Sequence, residues 1–254
     1  MENDYIVTPY YIDKPANHLK SFLRDGWQLN TVDLPDTDAQ GKASTVHKAL
    51  ANKIEAAIKQ GKRPVSIAGD CCATIPVMAG LQRTGITPTF LWLDSHGDFN
   101  TWETTPSGFL GGMPLAMIAG LGELRMNNAV GLEPIPEKNI VLADGRDLDP
   151  GERDLIEQSQ ITHIQKLSDL MQYPFHGPVY IHFDVDILHL DDLPAVNYPA
   201  SGGPRASELE ELFQYLKENI EIAAISSTIG VWKEGGDRIK EGEKIAWELL
   251  ELLF

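Results

Sequence analysis

Short apolar runs alternate with segments of helical period along most of the chain. Tyr5–Val7, Pro64–Ala68 (PVSIA), Thr89–Leu93 (TFLWL), Asn139–Ala143 (NIVLA), Val179–Phe183 (VYIHF) and Ile222–Ser226 read as strands. Their cores are apolar almost throughout, the pattern of a parallel sheet covered on both faces. Between them the spacing becomes helical. Thr45–Gln60 places Val46, Ala49, Leu50, Ile54, Ala57 and Ile58 on one face, and Gly61 follows as a stop. Thr74–Gln82 reads as a helix that takes Pro76 in its first turn. Gly151–Gln158, Ser207–Asn219 and Lys240–Leu253 complete the helices. This alternation predicts an α/β fold with right-handed crossovers. No internal repeat and no Pro-, Gly- or Ser-rich linker interrupts it, so residues 1–254 read as a single domain.

Composition narrows the function classes. Hydrophobic residues at 43% and charged residues at 23% fit a globular chain and argue against disorder. The 21 basic and 37 acidic residues give a net charge of −16, with no basic stripe. Nucleic acid and an anionic membrane surface are therefore poor partners. No apolar run approaches the length of a membrane-spanning helix. The acidic start, MENDYIVTPYYID, lacks the basic region of a secretory signal. Cys71 and Cys72 are adjacent and make no disulfide framework. A reducing cytoplasm is the expected compartment.

The acidic residues become informative once they are placed on this pattern. PVSIA runs into Gly69-Asp70-Cys71-Cys72, TFLWL into Asp94-Ser95-His96-Gly97-Asp98, and VYIHF into Asp184-Val185-Asp186. In an open parallel sheet the ligand site lies beyond the carboxyl ends of the strands, so the three clusters should converge on one crevice. Asp94, His96 and Asp98 alternate, and so do Asp184 and Asp186, which puts each set on one side of an extended chain. Four carboxylates and one imidazole suit Mn²⁺, Fe²⁺ or Mg²⁺ better than a structural zinc. Spacing alone reads Cys71 as a small buried hydrophobe; if it joins as a thiolate, one divalent ion would leave much of the buried charge unbalanced, which favours two. Cys72, His18, His47, His163, His176, His182 and His189 read as ordinary core or surface residues.

Together with Ser107-Gly108-Phe109-Leu110-Gly111-Gly112-Met113-Pro114 and Arg146-Asp147-Leu148-Asp149-Pro150-Gly151-Glu152, these clusters follow a recognisable order and local spacing. From about Val65 onward the chain resembles the arginase/agmatinase (ureohydrolase) family, which includes formimidoylglutamase. The resemblance implies a three-layer α/β/α fold with a central parallel sheet. It also implies two divalent metal ions, Mn²⁺ in the first instance, bridged by a hydroxide, and hydrolysis of a non-peptide C–N bond in a guanidino- or amidino-type small molecule. Asp94 and Asp184 match the bridging carboxylates, Asp98 and Cys71 the ligands of one ion, and His96 and Asp186 those of the other. Asn100, Thr105 and Ser107 match positions that hold the substrate carboxylate, and Asp149 the one that holds its α-amino group. An amino acid derivative is thus the expected substrate. A homo-oligomer, trimer or hexamer, is expected by resemblance alone.

Three departures from the family pattern qualify the expectation. The family's GGDHS motif has His where this chain has Cys71, which admits Fe²⁺ or Zn²⁺ as well. A proton-shuttling His of arginases corresponds to Gly111. The guanidinium-binding Glu of arginases falls in the stretch Ser226-Ser227-Thr228-Ile229-Gly230, which contains no acid. Asp98 and Glu103 are the candidates for the proton donor to the leaving amine. The alternative function is a catalytically degenerate relative that binds metal or ligand without turnover. A binuclear metallophosphoesterase would need a Gly-Asn-His-Asp/Glu segment, which is absent. A deacetylase on the related fold would use one zinc and leave Asp186 surplus.

Overall fold

The structure is a computed structural model that describes residues 1–229 and 238–254. Eight strands form the main sheet: β1 (Asn3–Thr8), β2 (Gln28–Leu29), β3 (Arg63–Ala68), β4 (Thr89–His96), β5 (Ile140–Asp147), β6 (Thr162–Ile164), β7 (Val179–Asp184) and β8 (Ile222–Thr228). Their order is β2-β1-β3-β8-β7-β4-β5-β6, and every neighbouring pair is parallel. Tyr10–Tyr11 and Lys14–Pro15 make a separate antiparallel pair. The helices are α1 (Ala39–Lys59), α2 (Thr74–Arg83), α3 (Pro114–Ala119), α4 (Arg125–Val130), α5 (Pro150–Gln158), α6 (Ala206–Asn219) and α7 (Ile239–Glu251).

Period-two alternation divides the sheet's side chains between two apolar layers. Phe90, Trp92, Ile140, Leu142 and Tyr180 pack with Leu50 and Ile54 of α1, Ile75 and Met78 of α2, and Met126 and Val130 of α4. Leu91, Leu93, Val141, Ile181 and Phe183 pack with Leu209 and Phe213 of α6 and with Trp247 and Leu250 of α7. The architecture is therefore the expected three-layer α/β/α sandwich. Phe90 and Tyr180 stack at 4.5 Å between ring centroids, and burial of each such side chain stabilises the fold by roughly 2–3 kcal/mol. Among the described residues no helix is long and apolar enough to cross a membrane.

Local chemistry explains the differences from expectation. Helix α1 begins at Ala39 rather than Thr45, because Asp38 caps it: Oδ1 accepts the Gly41 N–H at 2.9 Å. Its first turn is polar, so the apolar stripe does not reveal it. Strands β2 and β6 and helices α3 and α4 are too short to carry a period. Helix α3 starts at Pro114 and stops at Gly120, whose φ of 89° is left-handed. Strands β3, β8, β7 and β4 are consecutive neighbours, so their carboxyl ends form one shelf at the centre of the sheet.

Candidate active site

One local device recurs at the ends of three strands. Asp70 Oδ1 accepts the Cys72 N–H at 3.0 Å, Asp94 Oδ1 the His96 N–H at 2.7 Å, and Asp184 Oδ1 the Asp186 N–H at 2.9 Å. Each is an Asx turn, in which a carboxylate takes the amide two residues on and turns the chain out of the sheet. It leaves the second carboxylate oxygen of each Asp aimed elsewhere. Asp94 Oδ2 accepts from Trp92 Nε1 at 3.1 Å, and Asp184 Oδ2 lies 3.0 Å from Cys71 Sγ. Asp70 Oδ2 accepts the Ile12 N–H at 2.6 Å, so Asp70 ties the N-terminal segment to the strand end.

The ligand-type side chains meet above this shelf. His96 Nδ1 stands 3.1 Å from Asp186 Oδ2 and 3.4 Å from Asp94 Oδ1. Ser95 Oγ donates to Asp186 Oδ1 at 2.8 Å. Cys71 Sγ is also 3.4 Å from Thr228 Oγ1 at the end of β8. Asp98 adopts φ 47°, a left-handed conformation rare for a non-glycine residue and frequent at functional sites. Potential donor atoms within 4.8 Å of one another form two groups that share Asp94: Cys71, Asp94, His182 and Asp184; and Asp94, His96 and Asp186. Asp98 lines the same cavity but belongs to neither group.

Burial and like charge set the electrostatics. Burial first, then neighbouring carboxylates, push Asp94 up to about 7 and Asp98 and Asp184 well above the usual carboxylate range. The same causes push the Cys71 thiol up. Asp186 behaves oppositely: its burial is outweighed by His96 and Ser95, which hold it low. His96 is raised, since Asp186 and Asp94 outweigh its own desolvation. No lysine or arginine is among the described residues that line the cavity. A cation is therefore the natural counter-charge, and the mixed O, N and S donors fit divalent metal ions.

The cavity has a volume of about 190 Å³. Asn100, Thr105, Ser107 and Asp149 all line it, with Asn100 Nδ2 donating to Asp149 Oδ2 at 3.0 Å. Glu152 joins the two loops: Oε1 accepts the Phe99 N–H at 2.8 Å and Oε2 the Asp149 N–H at 3.1 Å. A Cβ at Gly97 would lie 2.6 Å from Glu152 Oε1 and 2.7 Å from Leu148 Cδ2, which explains the glycine inside the DSHGD cluster. Glu103 corrects an expectation. Its side chain is exposed and does not line the cavity, because it belongs to the outward turn after Asn100, where its N–H approaches Thr101 Oγ1 at 3.3 Å. At Gly111 a Cβ would meet the Phe109 ring at 2.4 Å, so Phe109 occupies the space a side chain there would enter. Ser227 Oγ donates to Phe183 O at 2.7 Å, and Thr228 faces Cys71. Gly230, the last residue of that stretch, lies outside the described residues.

Sequence reasoning missed several members. Tyr11 and Tyr198 line the mouth beside Phe109. His182, read as an ordinary histidine, falls in the first donor group. The available signal was its phase: two residues before Asp184 on one strand, it shares that residue's face.

A sequence profile of the Arginase family matches residues 8–226. The chain belongs to the arginase family. It is 32% identical over 170 residues to an arginase of Bacillus subtilis (strain 168), a match spanning 62% of this chain and 57% of that protein. It is 30% identical over 221 residues to N(omega)-hydroxy-L-arginine amidinohydrolase of Streptomyces lavendulae, spanning 84% of this chain and 73% of that one. Among solved structures, arginase from Bacillus subtilis superimposes with a TM-score of 0.82 at 27% identity, covering 100% of this chain and 98% of that one. Formimidoylglutamase from Bacillus subtilis shares the fold, with a TM-score of 0.71 at 14% identity, covering 100% of this chain and 86% of that one. The arginase-family match thus contains all three Asx turns and both donor groups.

Proposed function

We propose that the protein hydrolyses a non-peptide C–N bond in a guanidino- or amidino-type amino acid derivative, using two divalent metal ions. The observation that carries this reading is the pair of donor groups sharing Asp94, on the floor of a cavity whose carboxylates face His96 but no lysine or arginine among the described residues. Cys71, Asp94, Asp98 and Asp184 would hold one ion, and Asp94, His96, Asp184 and Asp186 the other. When bound, two such ions would lower the pKa of a coordinated water and supply hydroxide near neutral pH. Mn²⁺ is the first expectation, with Fe²⁺ or Zn²⁺ admitted by Cys71.

The remaining steps belong to the chain's own residues. Asp149, tied to Asn100, receives the substrate's α-amino group. Thr105 and Ser107 bind its carboxylate as neutral hydroxyl donors, so no arginine is needed there. Asp98, beside the nucleophile, would take its proton after attack and pass it to the departing amine. Glu152 keeps the Asp98 loop and the Asp149 helix start in one register. The test is turnover by metal-stripped protein reloaded separately with Mn²⁺, Fe²⁺ and Zn²⁺. The candidates are L-arginine, N(omega)-hydroxy-L-arginine, N-formimino-L-glutamate and agmatine. Hydrolysis of one of the amino acids, with agmatine poorer, is expected. Two bound ions without turnover of any candidate would overturn the reading.

A further inference from the structure

The floor of the site contains an imidazole that the reading above leaves without a task. His182 is 1% exposed, and its Nε2 has no hydrogen-bond partner. Its Nδ1 lies 2.8 Å from Ser226 Oγ, which in turn lies 2.7 Å from the Tyr180 hydroxyl. The ring rests against Trp92 at 4.3 Å between centroids, and Trp92 itself donates to Asp94. One ring nitrogen anchored by a hydrogen bond and the other left unpartnered is the usual arrangement of a metal-ligating histidine. Leaving a buried nitrogen unpartnered otherwise costs stability.

From these contacts we propose that His182 is a metal ligand. With Cys71, Asp94 and Asp184, and in the place given above to Asp98, it makes an S/N/O site for one zinc-like divalent ion, chemically distinct from the harder His96–Asp186 side. A ring nitrogen of His182 already lies within 4.8 Å of ligand atoms of Cys71, Asp94 and Asp184. A tetrahedral zinc shell has donor atoms roughly 3.3–3.8 Å apart, given bonds of about 2.0–2.3 Å. The group therefore has to contract by only about 1 Å, and the Cys71–Asp184 edge, at 3.0 Å, is already that short. Thiolate and imidazole together favour Zn²⁺, Co²⁺ or Fe²⁺ over Mn²⁺. The two ions of the centre are then of different kinds, each held by its own imidazole. The inference rests on the two-ion reading, but it concerns which residue supplies a ligand.

Zinc-edge X-ray absorption on the full chain, stripped and reloaded with one equivalent of Zn²⁺, tests it. The expected spectrum shows a Zn–S distance of about 2.3 Å with imidazole scattering from the same ion. In His182→Asn the imidazole contribution disappears, the sulfur remains, and zinc affinity falls by on the order of tenfold or more. In His96→Asn both contributions persist. Should His182→Asn fail to fold, the His96→Asn chain decides alone: sulfur with imidazole supports the proposal, and sulfur without imidazole overturns it. Zinc bound without sulfur, or imidazole scattering lost in His96→Asn and kept in His182→Asn, overturns it and leaves the two-ion reading standing. Failure of the native chain to bind any ion removes both.

Discussion

The floor of the cavity is carried by β3, β4 and β7, each paired on both sides within the sheet and each ending in an Asx turn. The rim is assembled from Tyr11, Phe109 and Tyr198, three stretches far apart in the chain. They are joined by ring contacts of 6.3 and 5.3 Å and by an exposed 2.7 Å hydrogen bond between the two tyrosine hydroxyls. Backbone pairing can hold like charges together against repulsion. Contacts of the rim kind contribute about 1 kcal/mol each. On the proposed reading the chemistry stands on the paired part, and contact with the far end of a substrate would fall to the rim.

The largest effects are expected on the floor. Asp184 meets Cys71 and caps the turn that carries Asp186. Asp184→Asn should reduce bound metal from about two ions to at most one and lower turnover by on the order of 10³-fold or more. Stability should move the other way in the metal-free protein. Burial first, then Asp186 and Asp94, disfavours the Asp184 carboxylate, so replacing it with a neutral amide removes that cost and the metal-free variant should melt above the metal-free native chain. A lower melting temperature would show that the floor is not electrostatically strained and would break the contrast with the rim.

Next comes the junction between the loops. Gly97→Ala forces Glu152 or Leu148 to move. Overpacking of this kind costs about 1–3 kcal/mol. Because Glu152 holds both Phe99 and Asp149, substrate binding and metal retention should weaken together. Isothermal titration with Mn²⁺ and with product reads both. A loss confined to stability would mean that the junction fills space without positioning anything.

The floor is also the part that was legible in the sequence. PVSIA, TFLWL and VYIHF have one reading as buried parallel strands, and the acids that follow them have one place to go. That is why Asp94, His96, Asp98, Asp184 and Asp186 could be brought together without coordinates. The rim had no such signal, since nothing local connects Tyr11 with Tyr198. Glu103 failed for the related reason that a turn can point a side chain either way. His182 was missed because a histidine inside an apolar run looks like any satisfied core residue until its two nitrogens are traced.

His47 supplies a control for that last distinction. Like His182 it is buried with one nitrogen unpartnered, and burial lowers both to about 3. Unlike His182 it lies on α1 and belongs to neither donor group. In the unfolded chain its pKa returns to about 6.5. Above that pH neither state binds the proton. As pH falls below it, the unfolded state gains a proton that the folded state refuses, and stability is lost until about pH 3. At pH 5 the loss is about 2 kcal/mol. Urea unfolding at pH 7 and pH 5 should show that His47→Gln removes about that much of the pH dependence, with metal binding unchanged. An unchanged slope would mean that His47 accepts its proton in the folded state.

The smallest effect tests the rim itself. Tyr198→Phe removes the hydroxyl that meets Tyr11 but keeps the ring against Phe109. Tyr198 is 44% exposed, so water replaces most of what is lost. The net change is about 0.5–1 kcal/mol, or roughly two- to fivefold in affinity. If the rim acts only on ground-state binding, KM rises by that factor and kcat stays constant. Tyr198→Ala, which also removes the ring contact, should raise KM further and still spare kcat. A fall in kcat with KM unchanged would place the rim in contact with the transition state. The division between a floor that reacts and a rim that selects would then have to be redrawn around Tyr11, the rim residue on the segment that Asp70 ties to the strand end through Ile12.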